Sequence, residues 1–474
     1  MEQTKLIQKV SKGHKQQMKL ARSLSKVGYN TALGKLLRLK AYYSDGLIML
    51  RAWRDFLAIR KKEIGNTYFA VDHAIMHADH QQVKQLMQTE PQLRGNDLGI
   101  IRILASSYML NQPLSLGMNG TKHTGVRAIF KQALPDPFAE TELLSQNVEQ
   151  FLAEAAEKGA LHIGNDLPDF MLKTLHRLVF QYSPLKEEIA ASRSYIKGLP
   201  LASLPHFISR YLLWIVTSPC VRHRKRSIRL YQSSSRWPEY LEIGKDYALS
   251  PDEIANGLFD MIHIAGTAGT SALLGSVIGV LCKHDEVRNE AIAEINTIWA
   301  DRETLDGDAL RQATVLHRVI LETARLYPPV RFVSQLAQTD GQTEIGTKKC
   351  PFHQGTRLLG SIFDANRDRD RYDQPNDVSI DRDFSDLLSW NGEGHERVCP
   401  GRSLSIELIK VFCLHLFKNY QWTPSAEPEW DFKKVTAVTP NDLILQSFSP
   451  TGPSPTVPSS TAPSPTTPAE VDNA

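Results

Sequence analysis

The stretch Trp390-Asn-Gly-Glu-Gly-His-Glu-Arg-Val-Cys-Pro-Gly401 decides how the chain is read. Glycines at 392, 394 and 401 let an irregular loop come close to another group. The loop ends at Cys399. Residues Arg402–Phe417 follow, with apolar or sulfur side chains at 404, 406, 408, 409, 412 and 413, a spacing that predicts a helix. A cysteine at a helix N-terminus faces exposed N–H groups and the positive end of the dipole, which favour the thiolate and lower its pKa. That suits a metal ligand. A lone cysteine in a turn is ordinarily an uncommitted buried residue, so the reading needs support from elsewhere in the chain.

Two segments supply it. Glu322-Thr-Ala-Arg325 lies in a helical stretch, Ala313–Tyr327, that stops at Pro328-Pro329. Glu and Arg three apart share a helix face, and alone they read as a surface ion pair. Just upstream of the cysteine loop lies a polar, turn-rich segment: Ala365-Asn-Arg-Asp368, Tyr372, Pro375 and Arg382-Asp-Phe384. An arginine from this segment beside the Glu322–Arg325 pair would give a carboxylate between two guanidiniums, a network strong enough to fix an irregular loop.

In this order and spacing the segments resemble the cytochrome P-450 superfamily, the heme-thiolate oxygenases, over roughly residues 60–425. The resemblance implies a mainly α fold with small β-sheets: a single large cytochrome P-450-type heme domain, with heme b (iron protoporphyrin IX) between a long central helix and the helix after the Cys loop. It implies Cys399 as the iron ligand and Glu322, Arg325 and Arg382 as a structural triad. His123-Thr-Gly-Val-Arg127 resembles the helix whose two basic residues hold a heme propionate, and Arg397 joins them as a cofactor-binding residue. Ala265-Gly266 resembles the start of the oxygen-binding stretch of the central helix. A thiolate ligand pushes electron density to the iron and favours O–O cleavage.

That stretch departs from the family pattern, which carries an acid followed by an alcohol. Here it reads Ala265-Gly-Thr-Ala-Gly-Thr-Ser271. One frame puts Ala268 in the acid's place and Gly269 in the alcohol's. Sliding by one recovers Thr270 as the alcohol and leaves Gly269 for the acid. Neither alanine nor glycine relays a proton. The site residues Ala265, Gly266, Ala268, Gly269 and Thr270 are therefore atypical, and two enzymatic readings stand. One is a monooxygenase using O2 and an external electron-transfer partner. The other is a peroxygenase or fatty-acid hydroperoxide isomerase or lyase, which needs no electrons. A non-catalytic heme-binding or sensor role is the third reading. The cysteine loop departs as well, since Trp390 stands nine residues before Cys399 where the family's aromatic stands seven. The strand arginine that reaches a propionate is not evident, with Arg331 nearby but Ser334 or Gln335 closer to its place. Substrate contacts are expected from Leu104–Asn119 and from the central helix near His263 and Thr267. Both regions are poor in charge, so the expected substrate is lipophilic. His263 reads as a satisfied packing residue.

The rest of the chain sets limits. Of 474 residues, 42% are apolar and 23% charged, too apolar for disorder and long enough to bury a cofactor. Five widely spaced cysteines without a CxxC pair argue against a disulfide framework or structural zinc and for a reducing compartment. Residues 1–40 carry ten Lys/Arg and one acid, leaving the remainder mildly acidic, so the core is not expected to bind nucleic acid. This basic arm has no apolar segment of a signal peptide or anchor and is expected to be solvated or to touch a membrane peripherally. The expected location is intracellular, soluble or peripherally membrane-associated. Residues 41–449 are expected to form the heme domain. Residues 450–474, with seven Pro, five Thr and four Ser, are expected to be a disordered tail. Met261–Cys282 contains no Asp, Glu, Lys or Arg over 22 residues, long enough to span a membrane. The resemblance makes it the central helix instead. A short strand is expected at Tyr68–Val71, a helix around Asp79–Met87, and a β-rich patch over Val333–Leu359.

Overall fold

The computed structural model describes residues 74–88, 120–198, 224–345, 348–352, 354, 357–430 and 439–452. The basic arm, the strand expected at Tyr68–Val71, the substrate segment Leu104–Asn119 and nearly all of the Pro/Ser/Thr tail lie outside these residues.

The elements in chain order are β1 (Ala74–His77), α1 (His80–Gln88), α2 (Gly120–Ala133), α3 (Thr141–Glu157), β2 (Ala160–His162), α4 (Ile163–Phe180), α5 (Lys186–Gly198), a helical segment at 224–232, and α6 (Trp237–Asp246). The central helix α7 (Pro251–Lys283) follows, then α8 (Asp285–Trp299), α9 (Gly307–Gln312) and α10 (Thr314–Leu326). Next come β3 (Phe332–Leu336), β4 (Gly341–Ile345), β5 (Lys348–Phe352), β6 (Arg357–Ser361) and α11 (Ile362–Ala365). The chain closes with α12 (Arg402–Asn419), β7 (Tyr420–Pro424) and β8 (Ile444–Pro450).

The sheets are small. β6 pairs in parallel with β1 and antiparallel with β3, which places residues 74–77 beside 357–360. β8 runs antiparallel between β2 and β7, and β4 pairs with β5. The β-rich patch read around Val333–Leu359 is therefore four strands divided between two sheets. The helix expected around Asp79–Met87 is α1.

α7 begins at a complete capping box. Ser250 Oγ accepts from the Glu253 N–H at 3.2 Å, and the Ser250 N–H donates to Glu253 Oε2 at 2.9 Å, with Pro251 at the first helical position. The helix stops at His284, whose ψ of 96° is extended. It is long and apolar enough to cross a membrane, but two thirds (67%) of its most apolar window is buried inside the protein. Its glycines show why. A Cβ on Gly275 would stand 2.8 Å from Ile163 of α4, and one on Gly279 would stand 2.7 Å from Pro440 and 2.9 Å from Trp430. The small residues let other chain segments lie directly on the helix, which is how a long apolar helix becomes a core element.

One continuous core joins α7 to α2, α3, α4, α10 and α12 through residues such as Leu144, Leu167, Leu274, Ile278, Leu316, Ile409 and Phe412, each under 1% exposed.

Candidate heme site

The loop before α12 is held in a conformation few residues accept. Trp390, Asn391, Gly392 and Gly394 have φ of 56°, 68°, 68° and 78°. Glycine takes such values freely, and Asn with modest cost, but a tryptophan there is strained. The tryptophan's contacts offset the strain. Its carbonyl accepts the Cys399 N–H at 2.9 Å, its indole Nε1 donates to Ser405 Oγ at 3.1 Å, and the Arg402 guanidinium lies 5.6 Å from the ring centroid. Trp390 thus ties both ends of the loop together despite standing nine residues before the cysteine. Asn391 Nδ2 donates to the Arg397 carbonyl at 2.8 Å, and His395 Nε2 lies 2.7 Å from the Asn391 carbonyl.

Cys399 sits one turn ahead of α12, partly buried. The expected lowering of its pKa is not what the surroundings produce. Burial pushes the thiol up, against the Gly401 N–H hydrogen bond and the charges of Arg127 and Arg402, which pull it down. Desolvation of the thiolate outweighs one N–H donor and two guanidiniums. A metal would meet this cysteine as a thiol and displace its proton on binding. Among the described residues no three His, Cys, Asp or Glu side chains gather as a metal cluster, so Cys399 would act as a single protein ligand.

The triad expected from sequence is assembled. Arg325 grips Glu322 with two parallel bonds, Nε to Oε2 at 2.7 Å and Nη2 to Oε1 at 2.8 Å, and both side chains are at most 1% exposed. Arg382 Nε reaches Glu322 Oε1 at 3.2 Å, and the Ser379 N–H reaches the same oxygen at 2.9 Å. The guanidiniums then spend their remaining N–H groups on main-chain carbonyls. Arg325 donates to Asn366 at 2.8 Å and Pro375 at 2.7 Å, and Arg382 to Gln374 at 3.0 Å and Asp377 at 3.2 Å. The irregular segment 366–382 is thereby fastened to α10. Ser389 Oγ donates to the Ala324 carbonyl at 2.7 Å and carries the fastening on to the cysteine loop.

The cationic residues converge on the same loop. His123 and Arg127 lie four apart on α2. His123 Nδ1 is 4.0 Å from Glu396 Oε1, and Arg397 Nε is 3.8 Å from that oxygen. Burial lowers the pKa of Arg127, opposed by Cys399 and then Glu396, and that of Arg397, where Arg127 adds to the lowering. One imidazole and two guanidiniums thus gather near the Glu396 carboxylate, with Arg127 also close to the thiol. Arg331 is buried, its guanidinium 4.6 Å from the Phe363 ring centroid, and Gln335 Nε2 donates to the Leu86 carbonyl at 2.5 Å.

Opposite expectation for a core helix, the middle of α7 is wide and partly uncovered. Met261–Thr270 closes i→i+5 turns, a geometry that recurs at functional sites. Ala265 is exposed, and Gly266, Ala268, Gly269 and Thr270 are only partly covered, in the midst of a helix otherwise in the core. The candidate oxygen-site residues do not share one environment. A Cβ on Gly266 would stand 2.5 Å from Leu175, so this glycine serves close packing against α4, whereas a Cβ on Gly269 would meet nothing within 4 Å.

Sequence reading missed a buried polar row behind this segment. Tyr231 Oη lies 2.9 Å from His263 Nε2 and 3.4 Å from His176 Nε2, and His176 Nδ1 lies 2.9 Å from the Leu172 carbonyl. Arg224, 1% exposed, bonds Asn256 and Asp260 beside it. The three row residues are scattered over 87 positions of chain, and no local spacing marks them. His263, read as satisfied packing, is satisfied at one nitrogen only.

Comparison with known proteins agrees with this geometry. The family model described as Cytochrome P450 matches residues 217–446, from before α7 through the triad and the cysteine loop to β8. Residues 217–446, just under half of the chain, belong to the cytochrome P450 superfamily. Among curated P450 relatives, the (+)-piperitol/(+)-sesamin synthase of Sesamum radiatum is 26% identical over 194 residues, 40% of this chain and 37% of that protein. A sterol 14alpha-demethylase of Mycobacterium tuberculosis is 27% identical over 189 residues, 38% of this chain and 41% of that protein. The match thus spans about two fifths of the length of these relatives. Of solved P450 structures, P450BioI in complex with hexadec-9Z-enoic acid ligated acyl carrier protein superposes with a TM-score of 0.65 at 16% identity, covering 84% of this chain and 99% of that one. Retinoic acid bound cyanobacterial CYP120A1 gives 0.67 at 17%, covering 84% and 94%.

The cofactor of a P450 is heme, and the donor set present here fits it. A thiol stands at a helix N-terminus, the partly uncovered middle of α7 offers small residues, and His123, Arg127 and Arg397 gather around the Glu396 carboxylate. A cluster that holds one carboxylate has the charge to hold propionates.

Proposed function

We propose that this P450 is a heme-thiolate monooxygenase that inserts oxygen from O2 into a lipophilic small molecule, with electrons supplied by an external partner. The observation that carries the reading is Cys399 at the head of α12, its N–H bonded to the Trp390 carbonyl and its loop fastened through Ser389 to the helix of the Glu322–Arg325–Arg382 triad. Heme bound here would supply oxygen activation at an iron held by a thiolate.

The chain's own residues do the rest. Cys399 Sγ would hold the heme iron, and the Gly401 N–H and the charges of Arg127 and Arg402 favour its thiolate. His123, Arg127 and Arg397 would hold the propionates. The triad keeps the loop from yielding when the ligand is bound. Ala265, Ala268 and Gly269 keep side-chain volume away from the face where substrate is admitted. An intracellular location, with residues 1–40 as a peripheral membrane contact, goes with the same reading.

One observation favours a second reading. In either frame Ala268 or Gly269 stands where the family's relay carries its acid, and a Cβ on Gly269 would meet nothing within 4 Å. A peroxygenase or a hydroperoxide isomerase starts from oxygen already reduced and needs no such relay.

The ligation is tested by reducing the purified protein under carbon monoxide. A thiolate-type Soret shift that vanishes in Cys399→Ser is expected, and a histidine-type spectrum in the wild type would refute it. The oxidant is tested by turnover of lipophilic substrates with O2 and a surrogate reductase against hydrogen peroxide or a lipid hydroperoxide. Peroxide-driven turnover with none from O2 would replace the first reading by the second.

A further inference from the structure

The row His176–Tyr231–His263 admits one satisfactory arrangement of protons. His176 Nδ1 faces the Leu172 carbonyl, which only accepts, so that nitrogen carries hydrogen and Nε2 is a bare acceptor. Tyr231 fills it by donating its O–H at 3.4 Å, which leaves the phenol oxygen to accept from His263 Nε2 at 2.9 Å. The opposite choice, Tyr231 donating to His263, would leave both His176 Nε2 and a buried His263 N–H without partners. Burial lowers the pKa of both rings, with His176 and Arg224 adding to the effect at His263 and Glu188 opposing it at His176, so both are neutral as this arrangement requires.

His263 is therefore held with a bare Nδ1. That atom is buried without a partner, in a side chain 1% exposed. The ring is fixed in place, stacked on Phe259 at 4.0 Å and edge-on to His176 at 5.5 Å. Four residues on, Thr267 Oγ1 is also buried and without a partner, in a side chain 1% exposed. In turns closed by i→i+5 bonds, residues four apart lie nearly one above the other, and helical side chains lean toward the N-terminus, so Thr267 leans toward His263. Two orphaned atoms on one face, a fixed acceptor and a hydroxyl, each forfeit about 1–3 kcal/mol if left so. A single water bonded to both removes the cost.

We propose that His263 Nδ1 and Thr267 Oγ1 form a buried site for one water, and that this water extends the His176–Tyr231–His263 row into the wide turns of α7. The site rests on the P450 reading only for its use: it gives the helix a proton-exchanging group that Ala268 and Gly269 lack. One proton arriving at Nδ1 through the water sends the Nε2 proton to Tyr231 Oη and the Tyr231 proton to His176 Nε2. The charge ends on His176, on the side of Glu188, and the reverse sequence returns the proton. Arg224 and Asp260 flank the His263 end, and Tyr182 the His176 end.

The test is a crystal structure of the heme-loaded full chain, with 15N-histidine spectra of its diamagnetic ferrous carbonyl form. One ordered water within hydrogen-bond distance of both atoms, a His263 protonated at Nε2, and first protonation of His176 on acidification are expected. Thr267→Val should lose the water and Thr267→Ser should keep it. A wild type without the water, a His263 protonated at Nδ1, or first protonation at His263 would overturn the proposal, and the wild-type readings decide it even if a variant fails to fold. A protein that shows the water but no thiolate spectrum would overturn the proposed function and leave this site standing.

Discussion

Arg382 Nε meets Glu322 Oε1 at 3.2 Å across 60 residues of chain, completing a carboxylate shared by two guanidiniums in the core. Removing one member leaves the others charged and unpaired in a place where Glu322 is 1% exposed. Glu322→Gln is therefore expected to cost about 3–5 kcal/mol, by the behaviour of buried pairs broken on one side. Denaturant titration checks this, and a wild-type midpoint would contradict it.

Gly269 has room for a side chain and a backbone that allows one, since a Cβ there meets nothing within 4 Å and its φ is not positive. Ala268→Asp with Gly269→Thr should fold normally and raise reductase-driven turnover relative to peroxide-driven turnover. A restored acid–base contribution is worth about 100-fold or more. An unchanged ratio would mean that the segment is not the site of proton delivery.

Gly279 is the opposite case. A Cβ would stand 2.7 Å from Pro440 and 2.9 Å from Trp430. Trp430 cannot retreat freely, being stacked on Tyr327 at 4.1 Å with its Nε1 bonded to Ser276 at 3.2 Å. Gly279→Val should destabilise by about 1–3 kcal/mol through overpacking, read as a lowered thermal midpoint, while Gly269→Val should not.

His415 on α12 is 1% exposed, and burial lowers its pKa to about 4. Glu149 lies 3.5 Å away without a hydrogen bond. Between pH 6.5 and 4 the unfolded chain binds a proton that the folded chain refuses, so stability falls as pH drops through that window and is complete above it. The loss is about 3 kcal/mol at most. His415→Phe should flatten the stability profile between pH 6.5 and 4, and an unaltered slope would assign the acid sensitivity elsewhere.

The candidate site residues stood out in the sequence because their types are scarce and their neighbours unusual. Cys399 stands among glycines, Glu322 and Arg325 stand on one helix face, and Arg382 lies in the polar, turn-rich segment just upstream of the cysteine loop. The central helix was legible from its lack of charge, and its role from the company it keeps. The widening of Met261–Thr270 was not, since no residue type in it demands i→i+5 turns. The fate of Trp390 was not either, because its partners Ser405 and Arg402 lie beyond the cysteine. The His176–Tyr231–His263 row is assembled by packing of α4 and the 224–232 segment on α7, which a linear pattern does not encode. The pKa direction at Cys399 failed for a related reason: the helix end is visible in sequence, and the burial that outweighs it is not.

Position 390 is pulled two ways. Its main chain, at φ 56°, asks for glycine or asparagine, while its side chain must span from the loop to Ser405 and carry the Arg402 guanidinium on its ring. No small residue makes the contacts, and few large ones tolerate the backbone. A substitution at 390 therefore gives up either the indole contacts or the backbone fit.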